Sequence, residues 1–129
     1  MQMPGHTVKN LLEIEDSGPE GCDVEARFAR THLDSEHLGV SYFRYGPGAR
    51  LPFGHSHGEQ EEAFVVVSGS GQIKLDDDIL ELRLWDVVRV APDVVRGFQG
   101  GPDGLVVIAI GSDSPPEGDG IPVKDGWID

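Results

Sequence analysis

His55-Ser56-His57-Gly58-Glu59-Gln60-Glu61-Glu62-Ala63-Phe64-Val65-Val66-Val67-Ser68-Gly69 places two imidazoles, a carboxylate and an apolar run within one short stretch. Side chains on a β-strand alternate between faces, so His55 and His57 project to the same side. Gly58 to Glu61 suit a hairpin connection that sets Glu62 opposite His57 on the returning strand, at the roughly 5 Å cross-strand Cβ spacing. Phe64 and Val66 then share the face of Glu62. Two neutral ring nitrogens and one carboxylate oxygen form a ligand set suited to a divalent transition metal: zinc, iron, manganese or nickel. The competing reading is a pair of loop histidines satisfied by water.

Outward from this stretch, the chain is cut into short segments. With 129 residues it has room for one hydrophobic core and not for two ordinary domains. Its 18 glycines and 9 prolines favour many short strands over long helices. Val24 to Arg30 alternates, with Val24, Ala26 and Phe28 on one face. Leu38 to Tyr45 reads as a second strand, where alternation lets Tyr42 and Arg44 share an inward face, and Gly46-Pro47-Gly48 closes it. Ser68 to Gly71 reads as a turn, because no Lys-Ser/Thr follows it as a phosphate loop would require. Gln72–Leu75 and Ile79–Leu84 form a hairpin across three aspartates whose spacing is not that of a calcium loop. Asp86–Val90, Val94–Phe98 and the fully apolar Leu105–Ile110 are further strands. Leu11 to Ile14 forms an apolar arm able to add an edge strand, Thr31 to His37 suits a helical turn, and Trp127 and Ile128 can dock a loose tail. Turns about every ten residues point to an all-β antiparallel barrel or jelly roll.

The formal charge of −13 argues against a broad nucleic-acid or anionic-membrane surface, which needs clustered Lys and Arg. No run reaches the roughly 18 apolar residues of a membrane helix, and no signal-peptide stretch opens the chain, so the cytoplasm is expected. One cysteine, Cys22, excludes an internal disulfide, and nothing near it in sequence would stabilise a thiolate. His6, His32 and His37 lie in polar segments and are expected at the surface.

With these residues in place, the chain resembles the cupin superfamily, specifically its small single-domain bacterial members. The first cupin motif reads here as Gly48, His55, His57, Glu62 and Gly69, with Ala63 to Ser68 as the spacer before the last glycine and a Gly48-to-His55 spacer one residue longer than usual. The second motif is degenerate: Trp85 and Asp93 stand at its glycines, Ala91 at its proline, Arg96 at its histidine and Gly100 at its asparagine. The resemblance covers about residues 24–111. It implies a jelly-roll barrel over a single domain 1–129, with core 24–111, an N-terminal arm 1–23 and a C-terminal tail 112–129, often as a homodimer that exchanges or adds N-terminal strands. It also implies a metal site that carries over to His55, His57 and Glu62 but not to Arg96.

Arg96 is where the chain departs from its relatives. It alternates with Phe98 at the position that the resemblance implies faces the interior; the alternative is a surface arginine paired with Asp93 or Asp86. A guanidinium about 5 Å from a divalent cation is repelled by roughly 6–7 kcal/mol at an effective dielectric near 20. Arg96 escapes that cost by pairing with Glu62 in a metal-free pocket, by pointing past the metal, or by sharing an anionic ligand with it. Phe64, Val66 and Phe98 are ordinary core residues individually; as a set with Arg96 they describe a small-ligand pocket with few polar groups. The functional expectation is a metal-dependent enzyme acting on a small organic anion such as a carboxylate, by oxygenation or isomerisation. The alternatives are a non-catalytic binding module without metal and a dimerising remnant that has lost its chemistry.

Overall fold

The computed structural model describes residues 5–113 and 118–124. Eight strands carry the fold: β1 Val24–Phe28, β2 Gly39–Tyr45, β3 Phe53–His57, β4 Glu62–Leu75, β5 Asp78–Leu82, β6 Val87–Val90, β7 Arg96–Gly111 and β8 Gly120–Lys124. All pair antiparallel in one strongly curled sheet, the jelly-roll arrangement. A single 3-10 turn, Leu11–Glu13, is the helical element among the described residues.

Strand β7 organises the rest. Its second half lies between β2 and β4, so that Gly111 faces both Gly39 and Glu62 and Leu105 faces both Tyr45 and Gly69. Its first half runs along the end of β4, and Arg96 is paired to Leu75 on one side and to His55, in the middle of β3, on the other. Alternating side chains then fill one interior: Phe64, Val66, Ile73, Phe98, Leu105 and Val107 are buried together. Removing that apolar surface from water is the main stabilising contribution.

Several local expectations are revised. Ser68–Gly71 is not a turn: β4 runs through it and bends at two register shifts, Val66/Ser68 and Gly69/Gly71. Gly69 holds φ +71°, and a Cβ there would lie 2.0 Å from the Gly104 carbonyl oxygen, so only glycine lets the two long strands approach. The expected strand Val94–Phe98 begins only at Arg96, and from there it runs on through Leu105–Ile110 as the single strand β7. Residues 5–23 of the arm form no strand within this chain. Asn10 caps the 3-10 turn through its side chain, Ile14 is buried, and the Arg27 guanidinium donates to the Ile14 carbonyl, which pins the arm to its own β1. Part of the expected tail is strand, since β8 pairs along β3. Trp127 and Ile128 lie outside the described residues.

Candidate metal centre

Glu62 and His57 do meet, but not as hairpin partners. Strand β3 gives its backbone bonds to β8 and, at His55, to β7, whereas β4 opens against β6 and β7. Gly58 to Glu61 is therefore a crossing between different parts of the curled sheet. The ligand atoms converge across the barrel interior.

His55 Nε2 lies 3.8 Å and His57 Nε2 2.9 Å from Glu62 Oε1. The two rings stand edge to face, 5.1 Å between centroids. Donor atoms of all three residues lie within 4.8 Å of one another, a group able to hold a metal ion. His57 Nε2 and Glu62 Oε1 are both buried and stand at ion-pair distance, 2.9 Å. Two ligand atoms bound at about 2.1 Å to one ion stand roughly 3.0–3.5 Å apart, so the spacing is close to that of a shared cation. The donor set of two imidazoles and one carboxylate fits as well.

Asp119 supports this arrangement, and nothing in the sequence pattern singles it out. Its Oδ1 lies 2.8 Å from His57 Nδ1, while its Oδ2 accepts from the backbone N–H groups of Glu59 (2.6 Å) and Gln60 (2.9 Å). One carboxylate thus fixes both the ring and the crossing loop. A proton held on Nδ1 leaves the Nε2 lone pair facing Glu62. Burial raises the Asp119 pKa, but the two N–H groups and His57 outweigh it and leave it lowered. For His57, burial disfavours the charged ring, yet Glu62 and Asp119 on its two nitrogens raise its pKa. Burial likewise pushes the Glu62 carboxyl up, and the two imidazoles more than reverse this, bringing it down to about 2.

Arg96 points inward and is fully buried, at 0 % exposure. Its Nη2 donates to the Ala91 carbonyl at 2.7 Å, and its Nη1 lies 3.8 Å from Glu62 Oε1. Nε and Nη1 have no hydrogen-bond partner. Burial lowers the guanidinium's pKa, opposed by Glu62 and Asp119. Phe64, Val66 and Phe98 are brought together behind the site as tightly buried core, with Phe64 and Phe98 rings 4.9 Å apart. A cavity of about 1030 Å³ opens on the other side of the three ligands, walled by residues including Phe28, Phe43 and Phe53.

Tyr42 and Arg44 do not share the inward face. Their neighbours Ser41 and Phe43 line the cavity, and Arg44 bonds Glu25 and Asp23 on the opposite side of β2. His6 and His37 are exposed, whereas His32 is half-buried, 3.1 Å from Glu15. No helix among the described residues is long and apolar enough to cross a membrane.

No protein-family model matches the sequence, and no curated protein matches it. Solved structures do. A cupin protein from Bacteroides fragilis aligns over 98% of this chain and 91% of its own, at TM-score 0.69 and 24% identity. The polyketide cyclase RemF from Streptomyces resistomycificus aligns over 95% and 87%, at TM-score 0.73 and 16% identity. A sugar phosphate isomerase of the cupin superfamily from Silicibacter pomeroyi aligns over 92% of each chain, at TM-score 0.69 and 16% identity. Proteins of such different names share one barrel, so the barrel alone does not select a reaction. Strand order, site position and these likenesses together identify the fold as the cupin barrel.

Proposed function

We propose that the protein is a metal-dependent enzyme acting on a small organic molecule with an anionic or oxygen-donor end, with His55, His57 and Glu62 as the metal ligands. One observation carries this reading: ligand atoms of His55, His57 and Glu62 converge within 4.8 Å of one another, with His57 Nε2 and Glu62 Oε1 buried and 2.9 Å apart. A divalent zinc, iron, manganese or nickel ion held there supplies Lewis acidity, or a redox centre, to a substrate oxygen. Asp119 holds the proton on His57 Nδ1 and keeps Nε2 turned inward. His55, whose side chain is 31 % exposed, borders the cavity and marks the side from which a substrate arrives. Arg96 lies behind Glu62 as a fixed positive charge that favours an anionic occupant, and Phe64, Val66 and Phe98 keep water from the rear of the site.

A second reading rests on the same arginine. A buried cation 3.8 Å from Glu62 offsets that carboxylate without any metal, which suits a metal-free binding module. Elemental analysis after expression in metal-supplemented medium separates the two. Near-stoichiometric transition metal is expected in the parent. Glu62→Gln and His57→Ala should each weaken it by more than the roughly 100-fold that bounds supporting residues. A parent that stays metal-free, with no thermal shift on adding zinc, manganese or nickel, overturns the metal reading in favour of the binding module.

A further inference from the structure

The cavity in front of the three ligands has a divided chemistry. At its inner end stand His55, His57 and Glu62; at its outer rim stand Arg30 and Gln60. Between them the larger share of the wall is apolar, with Phe28, Phe43, Leu51 and Phe53, and a smaller polar share comes from Asp34, Glu36 and Ser41. Phe28 is 49 % exposed and Phe53 37 % exposed, so two phenyl rings meet solvent inside a concave surface. Phe28 is held edge-on to Phe43, with 5.7 Å between ring centroids. The rim is fixed too. Arg30 Nη2 and Gln60 Nε2 both donate to the Ser112 carbonyl, at 2.8 and 3.0 Å. Gly111 makes room for this clasp, since a Cβ there would lie 2.3 Å from Gln60 Nε2.

Size and wall together narrow the occupant. A volume near 1030 Å³ is at the upper end of the roughly 300–1,000 Å³ that encloses drug-sized ligands. A two- or three-carbon acid would leave the phenylalanines wet. A sugar would find partners at Asp34, Glu36 and Ser41 but would leave the larger, apolar share of the wall uncovered. A polyphosphate would meet a wall with one arginine, on a protein of charge −13. A flat ring system satisfies the wall, and one oxygen-bearing edge satisfies the inner end.

We infer that the ligand of this cavity is a ring-bearing organic acid of the aromatic hydroxy- or keto-acid class. Its ring lies against Phe28 and Phe53, and its adjacent oxygens turn toward His55, His57 and Glu62. The oxygen-bearing end rests on the metal reading above; the ring end does not.

An ortho-hydroxynaphthoate and lactate carry the same kind of oxygen pair with and without rings, and calorimetric titration of both into zinc-loaded and metal-free protein tests the inference. The naphthoate should bind at least about tenfold more tightly than lactate. Phe28→Ala and Phe53→Ala should each weaken the naphthoate by about tenfold while changing zinc and lactate affinity by less than about twofold, which also confirms that the variants are folded. Naphthoate binding that depends on both phenylalanines in a protein that takes up no zinc supports the ring assignment and removes only the metal reading. Lactate binding as tightly as the naphthoate to zinc-loaded protein overturns the ring assignment and leaves the metal reading standing. So does naphthoate affinity indifferent to both substitutions. Loss of naphthoate binding as protein concentration crosses a dimerisation midpoint also overturns it, by showing that a second copy covers the two rings.

Discussion

Two arginines on neighbouring strands answer the same problem in opposite ways. On the outer face, Arg44 sits across from Glu25 in the β1–β2 register and bonds Glu25 Oε1 at 2.7 Å and Asp23 Oδ1 at 2.9 Å. Arg27 takes the other oxygen of Glu25 at 3.0 Å. Inside, Arg96 makes one hydrogen bond, stays 3.8 Å from Glu62, and leaves Nε and Nη1 unpaired. The outer, half-buried cluster completes its bonds where water still reaches and weakens them. The buried one is incomplete where incompleteness is costly, and β3 and β4 hold it in place from both sides. Arg44, bonded to two carboxylates, supports the sheet, whereas Arg96 leaves donors unpaired beside the candidate site.

Replacing the inner arginine should have the largest effect. Arg96→Ala leaves Glu62 without its nearby cation and opens a void, and should cost about 3–5 kcal/mol in denaturant unfolding. Arg96→Met, which keeps most of the volume, should recover part of it. A loss under about 1 kcal/mol would make the two arginines equivalent and erase the contrast. Next in size is Asp119→Asn, which should weaken metal binding roughly 10–100-fold in a chelator competition. It should also release the His57 tautomer, visible in the ring nitrogen resonances. Unchanged resonances and affinity would mean that Asp119 only anchors the crossing loop.

The outer cluster should give the smallest change. Glu25→Gln is expected to cost no more than about 1 kcal/mol near neutral pH. Arg44, opposed by burial and helped by Arg27, lowers the Glu25 pKa from its ordinary 4.5. A depressed carboxyl stabilises the fold above its unfolded value and loses that contribution as pH falls through its folded value. The difference between parent and variant should therefore be constant above about pH 5 and shrink below 4.5. A difference that persists in acid would assign the effect to packing.

What the sequence discloses and what it hides follow a physical line. His55, His57, Glu62, Phe64 and Val66 are legible because strand alternation is a local rule, and each lies within a few residues of the next. Arg96 and Phe98 face inward for the same reason. Pairing partners are not local. The crossing at Gly58–Glu61 looks like a hairpin because its length permits one, and only the competition from β6, β7 and β8 prevents it. Asp119 is hidden by distance, 62 residues from the ring it orients and set among Gly, Ser and Pro. Ser68–Gly71 misleads because glycine serves a bulge as well as a turn. Phe28 and Phe53 carry no mark in sequence that separates a cavity wall from a core.

The pairing of β3 with β8 also sets an order of events during synthesis. The strand that carries both histidines meets β7 at His55 but gains its full-length neighbour only after residues 120–124 are made, and the carboxylate that steadies His57 emerges just before them. Closing so long a loop costs entropy that no local contact offsets, so this edge assembles late. The nascent protein can bury Phe64 against its apolar neighbours while its imidazoles remain unaligned. On the metal reading proposed above, cation uptake would follow completion of the last strand.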